Sequence, residues 1–465
     1  MVFSSAIFLF IFLPLIWLGH RLLPSVRAKN ILLSVASLLF YAFGEPIYVV
    51  LMVLSVAVNY AAARCISEGE HRRRLPMILA VLFDLAMLGV FKYAGFAVEC
   101  INYLPFIELP VPAIRLPIGI SFFTFQILSY VVDVYRGDTQ VQTRIDDLFL
   151  YIAFFPQLIA GPIVKYHDIA AQITDRTMTP ELTARGLRRF LFGLSKKLLI
   201  SNPCGLLADT AFAALGEQTL GAPLGWLGAI AYCFQIYYDF SGYSDMAIGL
   251  GHMFGFHILE NFNYPYISGS IREFWRRWHI SLSTWFREYV YIPLGGNRRG
   301  RGRTVLNKFI VFFTTGLWHG ASLNFIVWGL FHGTMQMIEE FIRPTERRWL
   351  RPLWRVVTLA AVCLSFVVFR ADNMTDAVRY LAVLFGGGAS GGLSAALALL
   401  DPYTLTILAA ALIFSFPIVP ILRKRAEIGP PALDYIGYAV TLGLLLLCVM
   451  SLASSTYNPF IYFRF

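Results

Sequence analysis

Charge is scarce in this chain. Lys and Arg number 38 and Asp and Glu 28 among 465 residues, 14% in all, where a soluble domain carries roughly 25%. No stretch is long and polar enough to fold as a separate soluble domain, so a single membrane domain over 1–465 is expected. Cysteine is also sparse: Cys65, Cys100, Cys204, Cys233, Cys363 and Cys448 are scattered through apolar stretches. None stands in a CxxC or other metal-ligand spacing, so no metal site is expected, and there is no small secreted framework for disulfides to staple. They are expected to be buried apolar residues. No nucleic-acid module surrounds Arg298-Arg299-Gly300-Arg301-Gly302-Arg303, so its basicity does not indicate RNA binding.

What the chain has in abundance is apolar surface: 57% of its residues are hydrophobic and 40 are Phe. Several apolar runs approach the roughly 20 residues that cross a bilayer. Spans are expected near 3–19, 30–44, 47–63, 76–96, 117–134, 198–214, 224–250, 307–322, 325–342, 355–371, 404–422 and 433–452, giving an all-α polytopic membrane protein with about 11 or 12 crossings. The net charge of +10 is unevenly placed. Basic residues gather in Arg21–Lys29, Arg72-Arg73-Arg74, Arg185–Lys197, Arg272–Lys308, Arg343–Arg355 and Arg423-Lys424-Arg425. Because basic loops stay on the cytoplasmic side, alternation puts all six clusters in the cytoplasm and both termini outside it. The N-terminal apolar stretch lacks a basic region ahead of it and reads as an uncleaved first helix.

Two segments break this pattern. Asp147–Val164 contains Pro156, Gly161 and Pro162 inside an apolar run; broken backbone at membrane depth must be buried in protein or line a cavity. It is expected to be a re-entrant segment or a kinked helix. Ser270–Pro293 carries Phe274, Trp278, Leu282, Trp285 and Tyr289 at spacings of one helical stripe, among Arg272, Arg276, Arg277 and Arg287. Such a helix is expected to lie in the cytoplasmic interface, with His279 and Ser283 on its flank.

Polar groups inside apolar spans are the candidate site. The foremost is His319, in Gly316-Leu-Trp-His-Gly-Ala-Ser322. A buried imidazole there is paired, lines a cavity or does chemistry, and Gly316 and Gly320 beside it are expected to let a substrate approach. Asp239, Ser241, Tyr243 and Asp245 form a polar cluster in span 224–250 and serve either as lining or orienting groups or as polar glue between helices. His332, 13 residues after His319, is expected to be structural.

The motifs then resemble a family. Pro117-Ile-Gly-Ile-Ser-Phe-Phe-Thr-Phe-Gln126, Asp133-Val-Tyr-Arg136, Phe155-Pro-Gln-Leu-Ile-Ala-Gly-Pro-Ile163 and Tyr238-Asp-Phe-Ser-Gly-Tyr-Ser-Asp-Met-Ala-Ile-Gly249 come first. Asn261-Phe-Asn-Tyr-Pro-Tyr266, Glu273-Phe-Trp-Arg-Arg-Trp-His-Ile-Ser-Leu-Ser283, Tyr291-Ile-Pro-Leu-Gly-Gly-Asn-Arg298, Gly316–Ser322 and the tail Asn458-Pro-Phe-Ile-Tyr-Phe-Arg464 follow. In this order they resemble the membrane-bound O-acyltransferase family, within it the bacterial alginate O-acetyltransferase branch, most densely over 117–334. One departure is Leu323, where a tryptophan is expected.

The resemblance implies helices around a central tunnel and an enzyme in the bacterial inner membrane. It would take an acyl group, acetyl above all, from a cytoplasmic thioester such as acetyl-CoA, with no permanently bound cofactor. The acceptor would be an extracytoplasmic hydroxyl, on a polysaccharide or on a separate acetyltransferase or esterase-like partner protein. His319 corresponds to the family's essential histidine and His279 to its second. Trp318, Asn324, Asp239, Ser241, Asp245, Trp278 and Gln157 are the further candidates for lining or orienting roles. Acyl transfer from a thioester needs the attacking hydroxyl deprotonated, which a neutral imidazole can do. The oxyanion needs aimed donors; His279, Asn324 and a backbone N–H all remain open. No Gly-x-Ser-x-Gly elbow or Ser-His-Asp set is evident, so no acyl-enzyme is expected. The rivals are D-alanyl transfer from a carrier protein, against which Tyr291–Arg298 argues, and a transporter or lipid flippase. The latter calls for paired Gly/Pro breaks in two related halves, whereas the breaks here cluster in 105–163.

Overall fold

A computed structural model describes residues 1–68, 73–104, 106–390, 392–418, 420–421, 430–454, 457–459 and 461. Arg72, the cluster Arg423-Lys424-Arg425 and, in the tail motif, Phe460 and residues 462–464 lie outside the described residues. Within them every regular element is helical. The chain divides into two compact units, Met1–Phe190 with Ser244–Leu259, and Leu191–Tyr243 with Glu260–Phe465.

Each span expected from the sequence overlaps helical chain, although 404–422 does so chiefly over Pro402–Phe414 and its residues 419 and 422 lie outside the described residues. Among the described residues, five helices are long and apolar enough to cross a membrane: Val49–Ser67, Arg74–Asn102, Pro180–Gly216, Arg351–Arg370 and Tyr435–Ser454. Gly392–Ala398 and Pro402–Phe414, bent by 88°, form a sixth if counted as one broken span. The remaining expected spans fall on helices that are shorter or more polar than that. The protein is an all-α membrane protein.

The first unit is built from α1 (Leu13–Leu22), α2 (Val26–Ala42), α3 (Val49–Ser67), α4 (Arg74–Asn102), α5 (Ile120–Arg136), α6 (Ile145–Ala153), α7 (Phe155–Leu158) and α8 (Tyr166–Thr174). Helix α5 is buried along nearly its whole length, its polar residues Thr124, Gln126, Ser129 and Asp133 included. The Pro-rich stretch is broken as expected. Chain direction changes at Phe154, with φ −51° and ψ 108°, and residues 150–164 are all buried. Freed backbone groups in such a segment must find partners inside the protein. Here the Ser37 Oγ accepts from the Phe155 N–H at 3.0 Å, the Tyr151 hydroxyl donates to the Val164 carbonyl at 2.8 Å, and the Gln157 amide donates to the Tyr151 carbonyl. Phe3, Phe8, Phe12, Phe40 and Phe155 pack ring against ring around it, with centroids 4.9–6.4 Å apart.

The second unit takes in the later part of α9 (Pro180–Ser195), α10 (Asn202–Gly216), the earlier part of α11 (Ala222–Met253), α12 (Ile271–Arg277), α13 (Ile280–Phe286), α14 (Arg301–His319), α15 (Leu323–Ile342), α16 (Arg351–Arg370), α17 (Met374–Leu384), α18 (Gly392–Ala398), α19 (Pro402–Phe414) and α20 (Pro430–Ser454). Its core is aromatic: Tyr232, Tyr238, Phe274, Trp275, Trp278, Trp328 and Phe366 are buried together. Such rings contribute about 0.5–1.5 kcal/mol per favourable pair beyond the area they cover. Between α9 and α10 the helix widens into a π turn, Lys196–Ser201, which holds Lys197 inside the unit. Of the six cysteines, Cys204 and Cys448 are buried as expected; Cys100 is exposed and the other three are half-buried.

Candidate active site

Helices α14 and α15 form a tight hairpin, and His319 is the last residue of α14. A Cβ on Gly316 would sit 2.4 Å from the Phe325 carbonyl, and one on Gly320 would sit 2.3 Å from the Phe325 ring. These two glycines therefore admit α15. The expectation that they clear room for a substrate is corrected: the room is taken by the neighbouring helix. The imidazole of His319 is 6% exposed. It meets the rings of Trp318 at 4.9 Å, Trp328 at 5.0 Å and Phe369 at 5.1 Å, all edge-on.

The second histidine sits at a break. The aromatic stripe over 270–293 was expected to follow one helix, but α12 ends at Arg277, and His279 takes the left-handed conformation, φ +46° and ψ +56°, before α13 begins. A π turn, Arg287–Tyr291, follows. A non-glycine residue held at positive φ costs on the order of 1–3 kcal/mol and persists where its surroundings over-determine it. Here α12 is closed by the Trp278 N–H donating to the Phe274 carbonyl at 2.7 Å, and the Ile280 N–H donates to the Asn261 carbonyl at 3.0 Å. The N-terminus of α12 is held by Glu339 of α15. Its carboxylate accepts from the Ile271 and Arg272 N–H groups at 2.5 and 3.1 Å, and from the Trp354 indole at 3.1 Å. The stripe is buried although the helix is broken: Phe274, Trp278, Leu282 and Trp285 are all in the interior.

His279 is 1% exposed, not on a flank. Its ring lies edge-on to Phe240 at 4.6 Å and 6.0 Å from the ring of Trp318. Trp318 thus touches both histidines. Burial pushes the basicity of His279 down, to a pKa of about 3, so the ring is neutral near pH 7.

The other sequence candidates fall in different places. Trp278 packs against Phe262, Phe274 and Phe366 at 5.1–5.4 Å, as a core residue. Asn324, in the first turn of α15, donates from its amide to the Ala371 carbonyl at 2.7 Å, so that N–H is committed to tying α15 to the end of α16. Asp239 forms a buried ion pair with Lys197 at 2.6 Å and accepts from the Ile461 N–H at 2.9 Å. Ser241 is buried beside it in the same helix. Asp245 belongs to the first unit, where it pairs with Arg189 at 2.6 Å. Gln157 is also in the first unit, fully buried. His332 has both nitrogens engaged, with the Trp275 indole donating to Nδ1 at 3.3 Å and Nε2 meeting the Ser365 hydroxyl at 3.1 Å. That is how a structural histidine is held.

Sequence reading gave no role to Lys197, Asn261 or Glu339. The left-handed turn at His279 left one faint signal, since His is among the residues enriched at positive φ. For Glu339 the available signal was a carboxylate inside an apolar span.

A buried imidazole such as His319, packed on the same indole as His279, can accept a proton from a hydroxyl in a site closed to bulk water. The comparisons with known proteins give the family. Residues 120–375 match the model of MBOAT, the membrane-bound O-acyltransferase family. The chain is similar to the probable alginate O-acetylase AlgI of Pseudomonas aeruginosa, 45% identical over 83% of this chain and 75% of that one. Its counterpart in Azotobacter vinelandii is 40% identical over the full length of both. The peptidoglycan O-acetyltransferase of Helicobacter pylori is 35% identical over 83% of this chain and 80% of that one. The chain belongs to the membrane-bound O-acyltransferase family and is an enzyme that transfers acyl groups to oxygen.

Proposed function

We propose that this enzyme takes an acetyl group from a cytoplasmic thioester, acetyl-CoA in the simplest case, and delivers it to a hydroxyl on the far side of the bacterial inner membrane. The acceptor is an exopolysaccharide of the alginate or cellulose type, reached directly or through a separate extracytoplasmic acetyltransferase. The whole chain acts as one functional domain, with both termini outside the cytoplasm and its basic clusters inside. The relatives described above are named for acetyl transfer, which favours acetyl over D-alanine. The observation that carries the reading is the pair of buried histidines, His319 and His279, packed on Trp318.

In this mechanism His319 is the general base. The acceptor hydroxyl oxygen attacks the thioester carbonyl carbon, a C–O bond forms and the C–S bond breaks. The hydroxyl proton passes to the His319 imidazole and from there to the departing thiolate, which leaves as a thiol. The oxyanion must be met by aimed donors; one Asn324 amide N–H is spent on the Ala371 carbonyl, so its second N–H and a backbone N–H are the candidates.

The test is transfer of labelled acetyl groups in membranes carrying the full chain, with acetyl-CoA as donor and the isolated polymer, or polymer plus periplasmic extract, as acceptor. Label in the polymer is expected. No acetyl label in the polymer, with transfer of labelled D-alanine from a charged carrier protein in a parallel assay, would overturn the acetyl assignment.

A further inference from the structure

Asn261 and His279 meet in an arrangement that fixes where the imidazole proton sits. The Asn261 side-chain oxygen lies 3.1 Å from the Ser281 backbone nitrogen and 2.9 Å from the Ser281 hydroxyl. A backbone N–H can only donate, so the Asn261 atom facing it must be the amide oxygen; the flipped amide would set two donors against each other. The same oxygen is 3.3 Å from Nδ1 of His279. An acceptor there requires Nδ1 to carry the hydrogen. A neutral imidazole has one such hydrogen, so Nε2 presents a lone pair.

We propose that Asn261 is a positioning residue for acyl transfer, holding His279 in the Nδ1–H tautomer so that Nε2 accepts a hydrogen bond from a substrate O–H or N–H. This rests on the acyltransferase reading and assigns the second histidine a task distinct from that of His319.

Three observations support it. Asn261 is fully buried and His279 almost so, so no bulk water competes for either. Nε2 of His279 is buried with no hydrogen-bond partner among the described residues; a buried polar atom left so is costly, and is kept where a ligand supplies the missing group. His332 gives the internal contrast. There the Trp275 indole N–H donates to Nδ1, which puts the hydrogen on Nε2, and Nε2 meets Ser365. One histidine is closed by the fold and the other is left open at one nitrogen. Because burial keeps His279 neutral, it acts here by accepting a hydrogen bond and not by carrying the proton away.

The donor group has two possible sources, the hydroxyl of the acceptor or an amide N–H on the arm of the thioester. Both are the same chemistry at Nε2, and kinetics separate them.

The experiment uses the full chain labelled with ¹⁵N-histidine, with the His279 signals identified by difference against His279→Asn. In the wild type the proton is expected on Nδ1. Asn261→Asp keeps an oxygen facing Ser281 and Nδ1, and should keep the tautomer. Asn261→Leu removes the oxygen and should move proton density to Nε2, while acetyl transfer falls about ten-fold, the range expected for one buried hydrogen bond. A rise in acceptor KM identifies the hydroxyl as the donor group; a rise in thioester KM identifies the amide. A merely structural Asn261 would leave the proton where it was. A wild-type or Asn261→Asp spectrum with the proton on Nε2 overturns the proposal even if Asn261→Leu does not fold, as does a folded Asn261→Leu with an unchanged tautomer or unchanged kinetics. If the wild type transfers no acetyl at all, the functional reading fails, while the spectrum still decides the tautomer.

Discussion

Lys197→Met should destabilise the protein far more than removing both members of its ion pair. Lys197 and Asp239 are 4% and 1% exposed and stand 2.6 Å apart. At an effective dielectric of about 20 their attraction is roughly 6 kcal/mol, and desolvation of two buried ions offsets most of it. Removing the lysine alone leaves a buried carboxylate that keeps the Ile461 N–H as its donor among the described residues, which costs about 3–5 kcal/mol. It also releases the Pro459 carbonyl, to which the ammonium donates. The double variant Lys197→Met/Asp239→Leu has no stranded charge. It loses the acceptor for Ile461, worth about 1–3 kcal/mol, and should be more stable than Lys197→Met. Thermal unfolding in detergent measures the cycle. A double variant as unstable as the two single losses added together would refute the pairing. A double variant that folds normally but transfers no acetyl would give Asp239 a part in the reaction beyond holding the chain end.

Two further predictions concern the site's frame. Gly316→Ala forces a methyl against the Phe325 carbonyl and should cost about 1–3 kcal/mol of stability, with reduced transfer as His319 shifts. Gly302→Ala, in open space on the same helix, should be neutral or slightly stabilising; equal melting losses for the two would contradict the packing assigned to the hairpin. His279 gives a pH dependence of known sign. Its folded-state pKa is pushed down from 6.5 to about 3, so its contribution is fully present above pH 6.5 and is lost as the pH falls towards 3. By pH 5 the wild type should have lost about 2 kcal/mol relative to His279→Asn, and parallel melting curves across that range would show that His279 is not held neutral.

Much of this was written in the chain. The class followed from scarce charge and long apolar runs, and each expected span overlaps helical chain. Motif order pointed to the family, and Pro156 marked a true break. What escaped was decided by contacts between distant segments. The stripe from Phe274 to Tyr289 has the spacing of one helix, and nothing local says that Asn261, 18 residues upstream of His279, and Glu339, 68 residues downstream of Ile271, interrupt and brace it. The glycines around His319 were visible, yet their purpose depends on where Phe325 packs. Asp239 was open between lining and polar glue, and only the π turn at Lys196–Ser201 puts a lysine beside it. Polar residues within an apolar helix say that a partner exists; only the fold says which.

The central claim is that His319 is the base in acyl transfer, and His319→Ala tests it most directly. Losing a positioned general base lowers the rate by a factor of roughly 10² to 10⁴. The variant should insert and accumulate in membranes like the wild type, and labelled acetyl transfer at matched protein levels should fall into that range. Near-normal transfer by His319→Ala would contradict the mechanism and leave the histidine as a packing residue among Trp318, Trp328 and Phe369.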